Sequence, residues 1–362
     1  MHRLVFTAVI AVLSFSSVCG QTQRNEKDPV DSTATRIFPL PIFFYTPETG
    51  VAGGAAALLI YRDLGIPRAS SITGDVIYTE KKQIIVELSG DQYFSRGRYR
   101  LLSDVLYQKY PNKFFGIGNS TTSVHEEDFT PKTFVLKATF YANMVSQFNV
   151  GPIIRYESTT MSEVDPAKLI ATGTITGSSG GVSSGLGFVA NWDSRDNTFA
   201  AYSGSFYQMT ALFYQKTFGS DYVYSDVQLD LRKFFEVCPG HVVALQAGGE
   251  FMGGEVPFQN LTRFGGQNLM RGYFDGRYRD KQGVTVQAEY RLPVWWRFGL
   301  VGFAGVAQVA DRISHLGLGR FWFAGGAGVR FAWNPEERVN IRLDYGIGNN
   351  SDGIYITVTE AF

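Results

Sequence analysis

An all-β fold, a transmembrane antiparallel β-barrel of sixteen strands, is what this sequence predicts, and three observations predict it. The first is alternation. Val339-Asn340-Ile341-Arg342-Leu343-Asp344-Tyr345 puts Val, Ile, Leu and Tyr on one face and Asn, Arg and Asp on the other, and the segments 284–292 and 226–232 do the same. Soluble sandwiches also alternate, but segments of about 10 to 13 residues recur along the whole chain, the length of a tilted strand crossing a bilayer. The second is that no run of about 18 apolar residues occurs beyond residue 20, which excludes helical spans. The third is composition: 40 Gly, 29 Phe and 19 Tyr in 362 residues supply interfacial aromatics and strand bends, while a formal net charge of zero argues against a nucleic-acid partner.

The chain start reads as a signal peptide over residues 1–20. Met1-His2-Arg3 is a charged n-region, Leu4 to Phe15 an apolar h-region, and Ser16-Ser17-Val18-Cys19-Gly20 a small-residue cleavage site. A lipoprotein reading of Cys19 is disfavoured, because Val18 precedes it and no Leu stands three positions upstream. Residues 21–35 form a short polar periplasmic segment, and 36–362 the barrel. Loss of Cys19 leaves Cys238 alone, so no intrachain disulfide forms.

The expected strands are 36–46, 51–61, 70–80, 83–92, 98–108, 132–143, 147–158, 182–193, 204–214, 222–235, 241–252, 281–293, 297–310, 321–333, 338–348 and 352–362. Pro39 and Pro41 weaken the first, which is kept because Pro47-Glu48-Thr49-Gly50 is a good turn and because two periplasmic termini need an even count. Prolines also suit a weakly paired strand at the seam. The three longest connections, 109–131, 159–181 and 253–280, are separated by even numbers of strands and so emerge on one side, as the long outer loops of such barrels do. The last strand ends on Phe362, with Glu360 on the same face as Ile356 and Val358.

Residues 264–280 crowd three basic residues, four glycines and four aromatics between barrel strands. Met270-Arg271-Gly272-Tyr273 within it resembles the Arg-Gly-Phe/Tyr loop of the BamA/TamA-type outer-membrane barrel superfamily, also called the bacterial surface antigen family. Asp193-Ser194-Arg195-Asp196-Asn197 is similar to that family's acidic-basic turn, and Ala288-Glu289-Tyr290-Arg291-Leu292-Pro293 to the strand following the loop. The resemblance implies that the loop folds back inside the barrel, that Glu289 faces the lumen and receives Arg271, and that Gly272 permits the turn. It also implies that Tyr273 packs its ring on the wall with its hydroxyl wet. The family's Phe-x-Asp-x-Gly pattern is degraded here to Phe303-Ala304-Gly305-Val306-Ala307, so Arg271 is expected to rely mainly on Glu289. Tyr355 and Phe362 match the family's C-terminal insertion signal. Family members carry periplasmic repeat domains, whereas about fifteen residues precede the first strand here, which implies a barrel-only member.

No constellation for catalysis stands out. His125, His241 and His315 fall in separate places, too far apart for a metal cluster or a Ser-His-Asp arrangement. Asp193 and Asp196 flank Arg195 and read as a structural turn rather than an acid pair. The glycine-rich stretch 173–187 lacks a phosphate-binding lysine and a following helix, so it reads as an outer loop. Tyr110 to Asn119 reads as a self-packed loop, or as aromatics that dip into the outer leaflet. The expectation is a non-enzymatic outer-membrane protein without cofactor or metal, active in membrane biogenesis or limited translocation, with outer-membrane lipids and the barrel assembly machinery as partners. The alternative is a plugged surface antigen or adhesin, or a small-solute pore.

Overall fold

The structure, a computed structural model, describes residues 35–61 and 69–362. The expected signal peptide and nearly all of the segment after it lie outside the described residues. The strands are β1 (Arg36–Thr46), β2 (Gly50–Tyr61), β3 (Ser70–Thr79), β4 (Ile84–Phe94), β5 (Tyr99–Lys109), β6 (Asn112–Phe114), β7 (Glu127–Val145), β8 (Phe148–Val164), β9 (Gly180–Asp193), β10 (Gly204–Tyr214), β11 (Tyr224–Cys238), β12 (His241–Gly254), β13 (Thr262–Phe264), β14 (Tyr278–Asp280), β15 (Gln282–Trp295), β16 (Phe298–Ala310), β17 (Trp322–Asn334), β18 (Val339–Gly348) and β19 (Ser351–Val358). Three of these, β6, β13 and β14, are short pieces within loops. The other sixteen pair antiparallel with their sequence neighbours and close into a ring where β1 meets β19.

The period-two pattern decides which residues meet lipid. Leu231, Leu245, Val286, Leu300, Leu343 and Ile354 are exposed on the outer wall, while Asp230, Gln246, Gln287, Glu289, Arg330, Arg342 and Asp344 are buried inside. Apolar-out, polar-in is the reverse of a soluble barrel and suits a hydrocarbon surround. The long connections 110–126 and 255–281 lie at one end, and tight turns such as Ser146-Gln147 and Trp296-Arg297 at the other.

β1 is a full strand despite its prolines. Pro39 and Pro41 pair with Ala57 and Ala55 of β2, in a register running unbroken from Arg36↔Ile60 to Thr46↔Gly50. Towards β19 the ladder has one position, Tyr45↔Ile356, so the ring is closed at its loop end and barely joined below. The far end of β19 departs from the sequence expectation. The strand stops at Val358, Thr359 takes a left-handed φ of 64°, and Glu360, Ala361 and Phe362 turn inward instead of continuing the outer face. Glu360 is thereby buried beside Arg330 rather than aligned with Ile356 and Val358. β7 and β8 run longer than expected, 19 and 17 residues, because their loop ends rise to pair with each other, and β7 also pairs with β6.

Candidate functional site

The loop between β12 and β15 drops into the lumen. Its stem is held by the β13–β14 pair, Thr262↔Asp280 to Phe264↔Tyr278, and by an aromatic stack in which Tyr278 lies on Trp322 with ring centroids 4.6 Å apart. Phe264, Met270, Tyr273, Ala307 and Val309 pack together beneath it. At the tip Met270 takes a left-handed φ of 54° and Gly272 a φ of 111°. A Cβ on Gly272 would lie 2.6 Å from the Ile347 carbonyl carbon, and one on Gly346 would lie 2.5 Å from that of Arg271. The loop tip and β18 therefore touch main chain to main chain, which only glycine permits. Gly305, the departure from the family pattern, sits where a Cβ would come 3.1 Å from the Met270 sulfur, so it makes room for the tip.

Arg271 is almost completely buried. One terminal nitrogen donates to Glu289 Oε1 and the other to Asp344 Oδ2 at 2.5 Å, while the guanidinium lies 3.6 Å from the Phe303 ring centroid. A planar fork bridging two carboxylates over an aromatic face combines charge-assisted bonds with a cation–π contact. The expectation that Arg271 relies mainly on Glu289 is corrected here: Asp344 of β18 supplies the second carboxylate that Gly305 cannot. Gly272 N–H donates to the Tyr355 hydroxyl at 3.0 Å. The Tyr273 hydroxyl, expected to stay wet, is enclosed; it donates to Phe323 O at 2.9 Å and accepts from Asn349 N–H at 2.8 Å. Gln287 adds a bond from its side-chain amide to Asn268 O at 2.9 Å.

The ion pairs continue along the wall. Arg330 donates to Asp344 Oδ1 at 2.5 Å and to Glu360 Oε2 at 2.8 Å, and Arg291 to Glu289 Oε2 at 2.8 Å. Arg342 donates to Thr357, to Gln267 O at 3.0 Å and to Asn268 Oδ1 at 2.7 Å, and stands 3.6 Å from Asp344. Three carboxylates thus face four guanidiniums, all buried. Removing one partner from such a set strands a charge out of water. Sequence reasoning placed Arg342 and Asp344 on the lumen face but missed their link to Arg271, because β18 comes beneath the loop only as the wall curves.

The opposite mouth is partly capped. The turn 194–203, which begins in the acidic-basic motif, is folded by its own side chains: Arg195 donates to both Asp193 oxygens at 2.9 and 2.8 Å, and Asp196 Oδ1 accepts from Tyr202 and Ser203 N–H. It crosses to the β17–β18 turn, where Arg338 bonds Asp196 at 2.5 Å and lies 4.1 Å from the Tyr202 ring centroid. Phe362 packs behind it against Ala201, Phe234 and Ala244, and its carbonyl oxygen accepts from Arg291 at 3.0 Å. Tyr355 and Phe362 thus both end inside the barrel.

The remaining candidates stay apart. His241 bonds Tyr290 at 2.9 Å, His315 bonds Asp311 at 2.5 Å and His125 lies 3.3 Å from Thr122. In the loop 110–126, Phe114 and Phe115 are buried edge-on to Phe258 and Phe274 of the loop 255–281, and Thr121 accepts from Arg277, so this loop packs on the inward loop rather than on itself, and the self-packed expectation is corrected. Among the described residues no group of three or more His, Cys, Asp or Glu is placed to hold a metal.

Solved structures share this architecture. BamA from Haemophilus ducreyi lacking POTRA domains 1-3 superposes with a TM-score of 0.63 at 15% identity, over 91% of this chain and 70% of that one. CdiB from Acinetobacter baumannii gives 0.59 at 12% identity over 90% of this chain, and CdiB from Escherichia coli 0.54 at 10% over 87%. The chain spans 60% and 62% of those two CdiB chains. At these identities the likeness is one of fold. No curated protein matches the chain. Residues 76–362 match the Omp85 superfamily domain, most of the barrel and both ends of the Arg271 cluster included, and the chain belongs to the Omp85 superfamily.

Proposed function

We propose that this protein acts in outer-membrane biogenesis or limited translocation, and that the β1–β19 seam is its working surface. One observation carries this reading: β1 is joined to β2 along its whole length but to β19 at Tyr45↔Ile356 alone. A wall parted there presents two strand edges, and free edges are templates for pairing with an incoming strand. In this reading the chain termini are periplasmic, the long loops face the cell surface, and the partners are outer-membrane lipids and, during its own insertion, the barrel assembly machinery. It performs no catalysis and needs no cofactor. The test locks the seam with Tyr45→Cys/Ile356→Cys in a Cys238→Ser background, in liposomes supplied with a second, unfolded outer-membrane barrel. Oxidation should stop assembly of that barrel and reduction restore it; assembly that proceeds unchanged through the locked seam rejects the reading.

A second reading, a plugged surface antigen or adhesin, is supported by the loop clamped in the lumen through Arg271. Planar-bilayer recordings bear on it. Steady conductance would favour a small-solute pore, and silence together with failure of the assembly assay would favour the antigen.

A further inference from the structure

The lumen wall opposite the Arg271 cluster carries the reverse polarity. On β3 and β4, Asp75 stands directly across the ladder from Glu87, and both point inward. Asp104 of β5 is the diagonal neighbour of Glu87, and Lys137 of β7 lies opposite Asp104. Arg155 and Glu157 of β8 pair with each other at 2.5 Å. Towards the loops this acidic level is roofed by Ile77, Ile85 and Leu106, all buried. Below it the wall opens to water: Glu87 and Asp104 are half-buried, and the Asp91 and Arg100 side chains are 30% and 36% exposed. Among the described residues Asp75 Oδ2 and Glu87 Oε2 have no hydrogen-bond partner, and Asp75 is 5% exposed. In the Arg271 cluster on β15, β17 and β18 the unpartnered atoms of charged side chains are instead nitrogens, on Arg291, Arg330 and Arg342.

Like charges directly opposed on a ladder destabilise it unless something lies between them. An occupant must therefore be positive, and it must reach the pair through water from the short-turn end. With two carboxylates in reach and no third ligand placed, an all-protein cage is excluded. Magnesium keeps most of its waters and binds through one or two carboxylates, which this geometry suits. We propose that Asp75 and Glu87 hold a hydrated divalent cation of the magnesium type on the inner face of β3 and β4. Asp104 adds negative potential on the approach, and Lys137 beside Asp104 limits the site to that one pair. The inference is independent of the seam.

The test uses the purified full chain in detergent, freed of divalent ions. Mn2+, visible by electron paramagnetic resonance, should bind at one site and be displaced by excess Mg2+. Its affinity should fall by at least about tenfold in Asp75→Asn and in Glu87→Gln, since affinity follows ligand charge count. Both variants remove a like charge and leave side-chain volume unchanged, so folding is preserved. As a second readout, MgCl2 should raise the thermal midpoint of the parent above that in NaCl at equal ionic strength, and should not do so in the double variant. Mn2+ bound as tightly by Asp75→Asn/Glu87→Gln would overturn the assignment. So would absence of bound Mn2+ with a midpoint that rises only as pH falls, because the pair would then be sharing a proton.

Discussion

Two inner walls of one barrel, built from the same antiparallel ladder, have opposite fates. Along β15 to β19, Glu289, Arg330, Arg342 and Asp344 are sealed beneath the inward loop. Along β3 to β5, Glu87, Asp91, Arg100 and Asp104 meet water. The strand pattern is the same on both sides, so alternation alone does not decide what a lumenal charge contributes. A residue's worth depends on whether the loop covers it: desolvated partners are costly to separate, and solvated ones are not.

The largest effect should come from breaking the covered wall. Asp344→Ala removes the carboxylate shared by Arg271 and Arg330, and should cost roughly 3 to 5 kcal/mol by urea unfolding in detergent, with the loop 255–281 becoming protease-sensitive. The charge-swapped pair Arg271→Glu/Glu289→Arg sharpens the point. It restores one contact but sets the new carboxylate against Asp344, so the double variant should recover only part of what the single ones lose. Full recovery would mean that Asp344 does not engage the loop in solution.

Next comes the contrast between lipid and lumen on a single strand. Leu343→Arg places a charge on the lipid face of β18 and should cost about 2 to 4 kcal/mol. By alternation, Arg342→Ala should be mild, since a lumenal substitution usually is. Arg342 is instead boxed in by Thr357, Asn268 and the Gln267 carbonyl, so its removal should approach the cost of Leu343→Arg. Unfolding both variants in the same lipid gives the order, and a negligible loss for Arg342→Ala would reopen the packing of the loop tip.

These residues also mark how far the sequence reaches. Strand faces follow from local periodicity and strand count from that periodicity with parity, whereas the inward loop follows from the family resemblance of a short motif. The contact between Arg271 and Glu289, which joins neighbouring segments, was implied by the same resemblance. Asp344 was not, because β18 lies three strands beyond β15 and comes beneath the loop only as the wall curves, and neither was Glu360, which lies in the tail beyond β19 and bonds Arg330. The inward tail depends on Thr359 adopting a left-handed conformation, for which threonine gives no signal. The strap 194–203 was legible as a turn, whereas its reach to Arg338 belongs to the closed barrel.

A smaller, pH-dependent effect should appear where the loop meets the first turn. Glu48 is buried and accepts the Asp275 N–H at 2.9 Å, and burial, with the Asp275 carboxylate nearby, pushes its pKa from 4.5 up to about 7. A raised pKa means that the folded state favours the protonated form, so this contribution is full below about pH 4.5 and is lost as pH rises through 7. Limited proteolysis should therefore cut the loop a few-fold faster at pH 8 than at pH 5.5, with no such ratio in Glu48→Gln. A ratio that persists in the variant would assign the effect to another group.

The smallest effect should lie on the open wall, and it is the most direct check on the comparison. Arg100 grips both Asp91 oxygens at 2.7 and 2.6 Å and lies 5.3 Å from the Tyr93 ring centroid, a geometry as good as any in the covered cluster. Judged by distances alone, Arg100→Ala would rank with loss of Arg271. Water, however, reaches both side chains, so the Coulomb gain is screened and the stranded Asp91 can be rehydrated. Unfolding should show a loss below about 1 kcal/mol, shrinking further in high salt. A loss comparable to that of Asp344→Ala would show that the lumen beside β4 and β5 is sealed in solution, and would remove the water path on which the cation site at Asp75 and Glu87 depends.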